Sequence, residues 1–135
     1  MLKVIKIKTK YNEVYDITQH IREAVLESKI EEGMCLVYVP HSTAGLTVFS
    51  PWDANGFLDL DEEIRRLVPT RIDFKHQHDT PQDAAGHIKS ALFGISENFI
   101  IHQGKLMIGS SQGIYFLEFD GPRNREFYIK IMEDK

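Results

Sequence analysis

From Gly113 to Phe119 the chain reads Gly-Ile-Tyr-Phe-Leu-Glu-Phe, apolar on both alternating faces except at Glu118. Successive residues of a strand point to opposite sides, so such a run needs cover both above and below. It predicts a central strand and obliges the remaining chain to supply strands beside it and a layer on each face. The flanking segments suit that demand. Leu2 to Lys8 alternates apolar residues with lysines, the period-2 mark of a strand with one solvated face. Glu13 to Ile17 follows the Tyr11-Asn12 turn as a second strand. Met34 to Val39, stopped by Pro40, and Leu46 to Phe49 read as two more. Asn98 to His102 and Lys105 to Ile108 flank a Gln103-Gly104 turn, and Phe127 to Met132 follows the turn Asp120-Gly121-Pro122.

Three segments switch to a helical period. Ile21, Ala24, Val25 and Ile30 recur at that spacing after Thr18, a candidate N-cap, and Gly33 lies beyond the helix end. Phe57, Leu60, Ile64, Leu67 and Val68 form a 3-4-3 stripe between Asp53 and Pro69. Ile88, Ala91 and Leu92 mark a shorter helix capped by Asp83 and closed by Gly94. Phe74 to Asp83 is polar and histidine-rich and reads as a loop. Hairpins at both ends with helices between them argue an α+β fold with mostly antiparallel sheets and three helices. No linker divides residues 1–135, so one domain is expected.

Composition narrows the function classes. Sixteen basic and twenty acidic residues give a net charge of −4, so no global positive field attracts nucleic acid or an anionic membrane. No apolar run approaches the roughly 18 residues of a membrane span. One cysteine, Cys35, cannot form an internal disulfide and falls inside the apolar run Met34 to Val39, which fits a buried thiol in a reduced cytoplasm. A membrane protein, a disulfide scaffold, a disordered chain and a repeat array are excluded.

The residues that could carry chemistry are dispersed along the chain. His41 follows Pro40 at the exit of a buried strand, His76 and His78 lie in the polar loop, and His87 falls four residues after Asp83. Positions i and i+4 share a helix face, so Asp83 can orient His87. Three imidazoles from separate elements, His41, His76 and His87, with a carboxylate behind one, suit zinc with an open position. The plainer reading is that such histidines satisfy loop hydrogen bonds, and it applies to His20 and His102 as surface residues. His41-Ser42-Thr43-Ala44-Gly45 and Gly109-Ser110-Ser111-Gln112-Gly113 are hydroxyl-rich turns that either expose amides to an anion or simply reverse the chain. Arg123 and Arg125 either offer guanidinium forks to a phosphate or are solvated turn residues. Trp52 reads as an exposed aromatic lid, a subunit contact or, more commonly for such a residue, a packed loop anchor. A Ser42-His87-Asp83 hydrolase lacks the nucleophile-elbow pattern.

Taken in order, several blocks resemble one family. They are Pro40-His41-Ser42-Thr43-Ala44-Gly45-Leu46-Thr47, Leu67-Val68-Pro69, Phe74-Lys75-His76, and Asp83-x-x-x-His87-Ile88-Lys89-Ser90-Ala91-Leu92. Gly109-x-x-Gln112-Gly113-Ile114-Tyr115 and Gly121-Pro122-Arg123 complete the set. The chain is similar to the YjbQ-like family, also called the secondary thiamine-phosphate synthase family, over nearly its whole length. The resemblance implies a β-sandwich-like core, a homotrimer, and a histidine-lined cleft near the subunit boundaries. It places the family's histidines on His41, His76 and His87, its carboxylate on Asp83 and its basic residue on Lys89. Two segments depart from it: Phe49-Ser50 stands where the family has Asn-Glu, and Ser111 where it commonly carries tryptophan. Trp52 is the residue available to replace that tryptophan in space.

The reaction implied by the resemblance joins a hydroxymethylpyrimidine diphosphate to a thiazole phosphate. Asp83 and His87 would be catalytic. Ser42, Thr43, Lys89, Gln112 and Arg123 would hold the phosphorylated substrate, departure of a diphosphate requiring its charge to be stabilised. The divalent metal is zinc by donor type, with magnesium as the usual escort of diphosphate. A metal-dependent hydrolase or lyase and a non-catalytic metal- or metabolite-binding trimer are the competing expectations.

Overall fold

The computed structural model describes residues 1–135, and its strands fall into two antiparallel sheets. Eleven elements occur in the order β1 (Leu2–Thr9), β2 (Val14–Asp16), α1 (Thr18–Ser28), β3 (Gly33–Tyr38), β4 (Ala44–Phe49), α2 (Ala54–Leu67), α3 (Pro81–Phe93), β5 (Ser96–His102), β6 (Lys105–Met107), β7 (Gly113–Glu118) and β8 (Arg123–Glu133). The larger sheet runs β1-β8-β3-β5-β6 and the smaller β2-β7-β4. This is an α+β fold with three helices, as expected. No helix is long and apolar enough to cross a membrane.

The run that demanded double cover obtains it. β7 lies between β2 and β4, and all six of its residues are buried. Ile114 and Phe116 face the larger sheet and share a core with Cys35, Val37, Phe127, Ile129 and Ile131, and with Ile21, Ala24 and Val25 of α1. Leu117 and the following Phe119 face the other way, onto Ile64 of α2. Tyr115 meets the ring of Phe57 at 4.9 Å. Cys35 is fully buried, and burial pushes its thiol up to about 11, so the thiol is inert.

Three local expectations are corrected. The terminal strands are not hairpins: β1 pairs with β8 and β2 with β7, so consecutive strands change sheets. The segment Asp120-Gly121-Pro122 crosses between sheets too, with Gly121 at φ 97°, a left-handed backbone that glycine adopts without strain. Only β5–β6 forms a hairpin between neighbours in sequence. Crossing between layers is how short strands bury both faces of β7. The first helix is not capped by Thr18. Ile17 precedes it without a side-chain cap, the Thr18 hydroxyl accepts from the Ile114 N–H at 2.9 Å, and Lys29 closes it in the left-handed region. Asp83 does not cap α3. The helix begins one turn earlier, with Pro81 in its first turn and the Thr80 hydroxyl accepting from the Asp83 N–H at 3.1 Å. Asp53 caps α2, accepting from the Asn55 N–H, a role the sequence reading did not assign.

One buried ion pair joins the sheets. Glu118 shares the inward face of β7 with Ile114 and Phe116 and is 1% exposed; Arg125 shares the inward face of β8 with Phe127, Ile129 and Ile131. Arg125 donates Nε to Glu118 Oε1 at 2.7 Å and Nη2 to Oε2 at 2.6 Å, a bidentate fork, and Nη2 also reaches Thr43 Oγ1 at 2.7 Å. Thr9 Oγ1 donates to Glu118 Oε1 at 2.5 Å and the Asp120 N–H to Oε2 at 3.1 Å. Every buried side-chain polar atom in the molecule has a partner.

Removing one member of such a pair strands the other without water, at a cost of about 3–5 kcal/mol. Arg125→Met is therefore expected to lower the unfolding free energy in urea by about that amount. Arg125→Lys should fall between, because one ammonium cannot serve Glu118 as a fork and Thr43 together. A loss under about 1 kcal/mol for Arg125→Met would contradict this role.

Candidate functional site

The site is built on α3 and on the segment that precedes it. Phe74 is buried against Val68, Ala84 and Ala85, and this anchor carries the polar segment across the first turns of α3. Gln77 reinforces it by donating Nε2 to the Phe74 carbonyl at 3.1 Å. His76, two residues beyond the anchor, is thereby held over the helix. Asp83 and His87 lie one turn apart on α3, and a carboxylate in a helix's first turn is favoured by the helix dipole. α3 itself sits close to the sheets because Gly86 has no side chain: a Cβ there would stand 2.9 Å from the Phe119 carbonyl oxygen.

The outcome is a convergence on one carboxylate. Asp83 Oδ2 lies 3.2 Å from His87 Nε2 and 3.4 Å from His76 Nε2. One ligand atom from each of the three side chains falls within 4.8 Å of the others. The imidazole rings of His76 and His87 meet edge to face at 5.2 Å. Asp83 is buried while both imidazoles open to solvent, so the donors face outward from a fixed base. His76 and His87 line a cleft of about 710 Å3 whose walls include Arg71, Lys75 and Ile88. Arg71 is laid over the Phe74 ring at 4.7 Å.

Arg123 completes the charge arrangement. Its guanidinium donates to Asp120 Oδ2 at 2.7 and 3.1 Å and lies 3.5 Å from Asp79 and 3.7 Å from Asp83 Oδ1. Asp120 also accepts from Gln82 of α3 at 2.9 Å. Burial alone would raise the Asp120 carboxyl, but the bonds from Arg123 and Gln82 outweigh it and hold the group below its ordinary 3.8.

The remaining sequence candidates are placed differently. His41 is outside the cluster: its Nε2 lies 3.0 Å from the Glu126 backbone nitrogen and 3.1 Å from the Glu126 carbonyl oxygen, so that nitrogen is engaged with the backbone of β8. His41 and Ser42 nevertheless border a cleft of about 410 Å3 together with His87 and Ser90. Thr43 is 4% exposed and its hydroxyl is occupied by Arg125, so it serves the buried network rather than an open site. Lys89 is 2% exposed, facing the charges of Asp61 and Arg65 on α2, and desolvation lowers its pKa. Gln112 accepts from the Gly109 N–H at 2.8 Å and lies in another cleft, with Trp52, Arg22 and Gln19. Trp52 is 72% exposed rather than packed, and its indole donates to Ser111 Oγ at 3.2 Å. His78 lies beside His76, with ring centroids 6.4 Å apart. His20 and His102 are surface residues, His102 pairing with Glu32 at 2.9 Å.

Sequence reasoning overlooked Asp120, Thr80 and the anchoring role of Phe74, and it read Arg125 as a turn residue. The available signal for Arg125 was alternation: Arg125, Phe127, Ile129 and Ile131 share one face of a strand that begins earlier than Phe127.

The two-sheet α+β architecture is one that other proteins share. The profile of the family described as UPF0047 protein YjbQ-like matches residues 3–134. The chain belongs to the YjbQ-like family. UPF0047 protein MJ1081 of Methanocaldococcus jannaschii is 44% identical over 100% of this chain and 96% of its own length. UPF0047 protein YugU of Bacillus subtilis is 39% identical over 98% and 99%. Among solved structures, a YbjQ-like protein of unknown function from Sulfolobus solfataricus superposes with a TM-score of 0.93 at 28% identity, covering 99% of this chain and 97% of that one. An uncharacterised family member from Clostridium acetobutylicum gives 0.90 at 38%, covering 96% and 99%.

Burial is the largest influence on His41 and the nearby Arg125 charge adds to it, so its pKa lies below the ordinary 6.5. The sign follows from linkage: as pH falls through 6.5 the unfolded chain takes up this proton first, and folded stability is lost until the folded pKa is passed. An imidazole NMR titration of His41 is expected to show a midpoint below 6.5, and His41→Gln to flatten the loss of stability between pH 7 and 5. A midpoint above 6.5 would contradict the assignment.

Proposed function

We propose that the chain is a small-molecule enzyme whose His76, Asp83 and His87 hold a divalent metal beside a binding cleft for a phosphorylated metabolite. The observation that supports this most is the approach of two imidazole nitrogens to one buried carboxylate oxygen at 3.2 and 3.4 Å. Two neutral imidazoles and one carboxylate suit zinc or a similar borderline ion and leave a coordination position open. They suit magnesium poorly, which prefers oxygen donors and retained waters. His41 leaves the ligand set expected from sequence, because its Nε2 is used by Glu126.

A zinc-type ion bound there would supply Lewis acidity at its open position. The chain's own residues do the rest. Asp83, buried at the base of the cluster, supplies the fixed carboxylate on which His76 and His87 converge. Arg71 and Lys75 offer cationic groups on the cleft wall for phosphate oxygens, and Arg123, held by Asp120, keeps its position next to Asp83. Thiamine-phosphate synthesis, which the family resemblance implies, remains the named alternative within this reading. It would use the same cleft together with the neighbouring one that Ser42 borders, but Lys89 and Gln112 line neither. A cytoplasmic homotrimer is part of the proposal. It is supported by the exposed apolar face of the larger sheet, where Val4, Met34, Ile100, Met107 and Met132 stand outward. Light scattering should return the mass of three 15.6 kDa chains, and a monomer would contradict it.

The decisive assay is metal content. Untagged protein dialysed against zinc is expected to retain about one ion per chain, and His87→Ala or Asp83→Asn to lose it, while His41→Ala keeps it. Phosphate-ester turnover should disappear with chelator and return with zinc, manganese or cobalt. Zinc retained equally by His76→Ala and His87→Ala would overturn the proposal, as would turnover indifferent to chelator. Formation of thiamine phosphate from the two purified precursors would select the alternative.

A further inference from the structure

At the end of β7 remote from the histidine cluster lies a cleft of about 560 Å3, a volume ordinary for small-molecule sites. Gly113, the first residue of β7, lines it, whereas Asp120, which holds Arg123 beside Asp83, follows the other end of the strand. At about 3.4 Å per residue the strand alone puts about 17 Å between the two ends.

The cleft collects charges that the fold leaves unpaired. Of the six arginines in the chain, Arg65, Arg66, Arg71, Arg123 and Arg125 are each ion-paired with a carboxylate. Arg22 of α1 lines the cleft and has no such partner. Asp16, on the same wall, gives Oδ1 to the Thr18 N–H at 3.0 Å and forms no ion pair with Arg22 or with any other cation. A cation and an anion thus stand in one cleft without neutralising each other.

Tyr115 points to the same place. It lies opposite Asp16 across the β2–β7 ladder and is 4% exposed, but its hydroxyl has no hydrogen-bond partner in the chain. Every enclosed side-chain polar atom has a partner, so this hydroxyl is not enclosed. It emerges beside Gly113, where a Cβ would stand 2.7 Å from its oxygen. Burial, and after it the charge of Asp16, raises its pKa, so it is an intact phenol at neutral pH. Trp52 supplies a flat wall: its indole is 72% exposed, and the bond to Ser111 Oγ at 3.2 Å fixes its edge while leaving a face free.

We infer that this cleft binds a free aromatic α-amino acid: Asp16 Oδ2 and the Tyr115 hydroxyl take the α-ammonium, Arg22 takes the α-carboxylate, and the ligand's ring lies against Trp52. A zwitterion satisfies an unpaired anion and an unpaired cation at once, and an aromatic side chain is what a fixed indole face selects. A phosphate ester would meet Arg22 but set its charge against Asp16. The inference needs neither the metal nor the cluster.

Trp52 is the single tryptophan of the chain, so its emission reports on the cleft directly. The test titrates L-phenylalanine, its amide (no carboxylate), hydrocinnamate (no ammonium) and L-leucine (no ring) into the full chain, by Trp52 fluorescence and by calorimetry. Phenylalanine should bind and shift the emission, and each of the other three should bind about tenfold or more weakly. Arg22→Gln should weaken phenylalanine about tenfold and leave the amide unchanged. Asp16→Asn keeps an acceptor for Thr18 and Tyr115→Phe breaks no internal hydrogen bond, so both should melt with the wild type. Both should weaken phenylalanine and leave hydrocinnamate unchanged. Chelator and His87→Ala should alter none of these affinities, so failure of the metal proposal would leave this site standing. No response to phenylalanine in either measurement would overturn the inference. Hydrocinnamate binding as tightly as phenylalanine, or Arg22→Gln binding phenylalanine with wild-type affinity, would overturn it equally.

Discussion

The bidentate pair of Arg125 and Glu118 is the constraint on which both the fold and the site depend. Each side chain occupies an inward position of its strand, in series with residues that form the core, and both are buried. An ion there is tolerable only if every lone pair and N–H has a partner, and the two threonines and the Asp120 amide complete the set. Hydrophobic contact between two sheets is not directional, so it fixes their separation better than their register. A forked salt bridge from one sheet to the other fixes both.

That register reaches the surface through a short chain of contacts. Glu118 holds the backbone of Asp120, Asp120 holds Arg123 and Gln82, and Gln82 is on α3 with Asp83 and His87. The helix is pressed onto the sheet edge where Gly86 permits it, and Ser90 donates to the Ala44 carbonyl at 2.6 Å to pin its second half. His76 then needs only the Phe74 anchor to arrive beside Asp83. A polar network with all members satisfied behaves as a rigid base, which is what a set of ligands held at fixed spacing requires.

Much of this was legible in the sequence, for identifiable reasons. The central strand, the three helices and the burial of Cys35 follow from periodicity, because a side chain's face is set by spacing alone. The Asp83–His87 pairing follows from the i, i+4 rule. What periodicity does not encode is which strands become neighbours, so hairpins were expected where the chain in fact changes sheets. Lys89 and Thr43 illustrate the same gap: a cation and a hydroxyl beside functional motifs read as ligand groups, and only tertiary packing turns one toward α2 and the other toward Arg125. Glu118 was visible as the lone charge in an apolar strand, but its partner was seven residues away across a layer and looked like part of a solvated turn.

Zinc-edge X-ray absorption on protein loaded with one equivalent of zinc would test the central claim most directly. The account predicts two imidazole nitrogens and one carboxylate oxygen in the first shell at about 2.0–2.2 Å, with an exchangeable light atom in the fourth position. In His41→Ala the spectrum should be unchanged. A shell of three imidazoles that loses one in His41→Ala, or a shell with no imidazole at all, would contradict it.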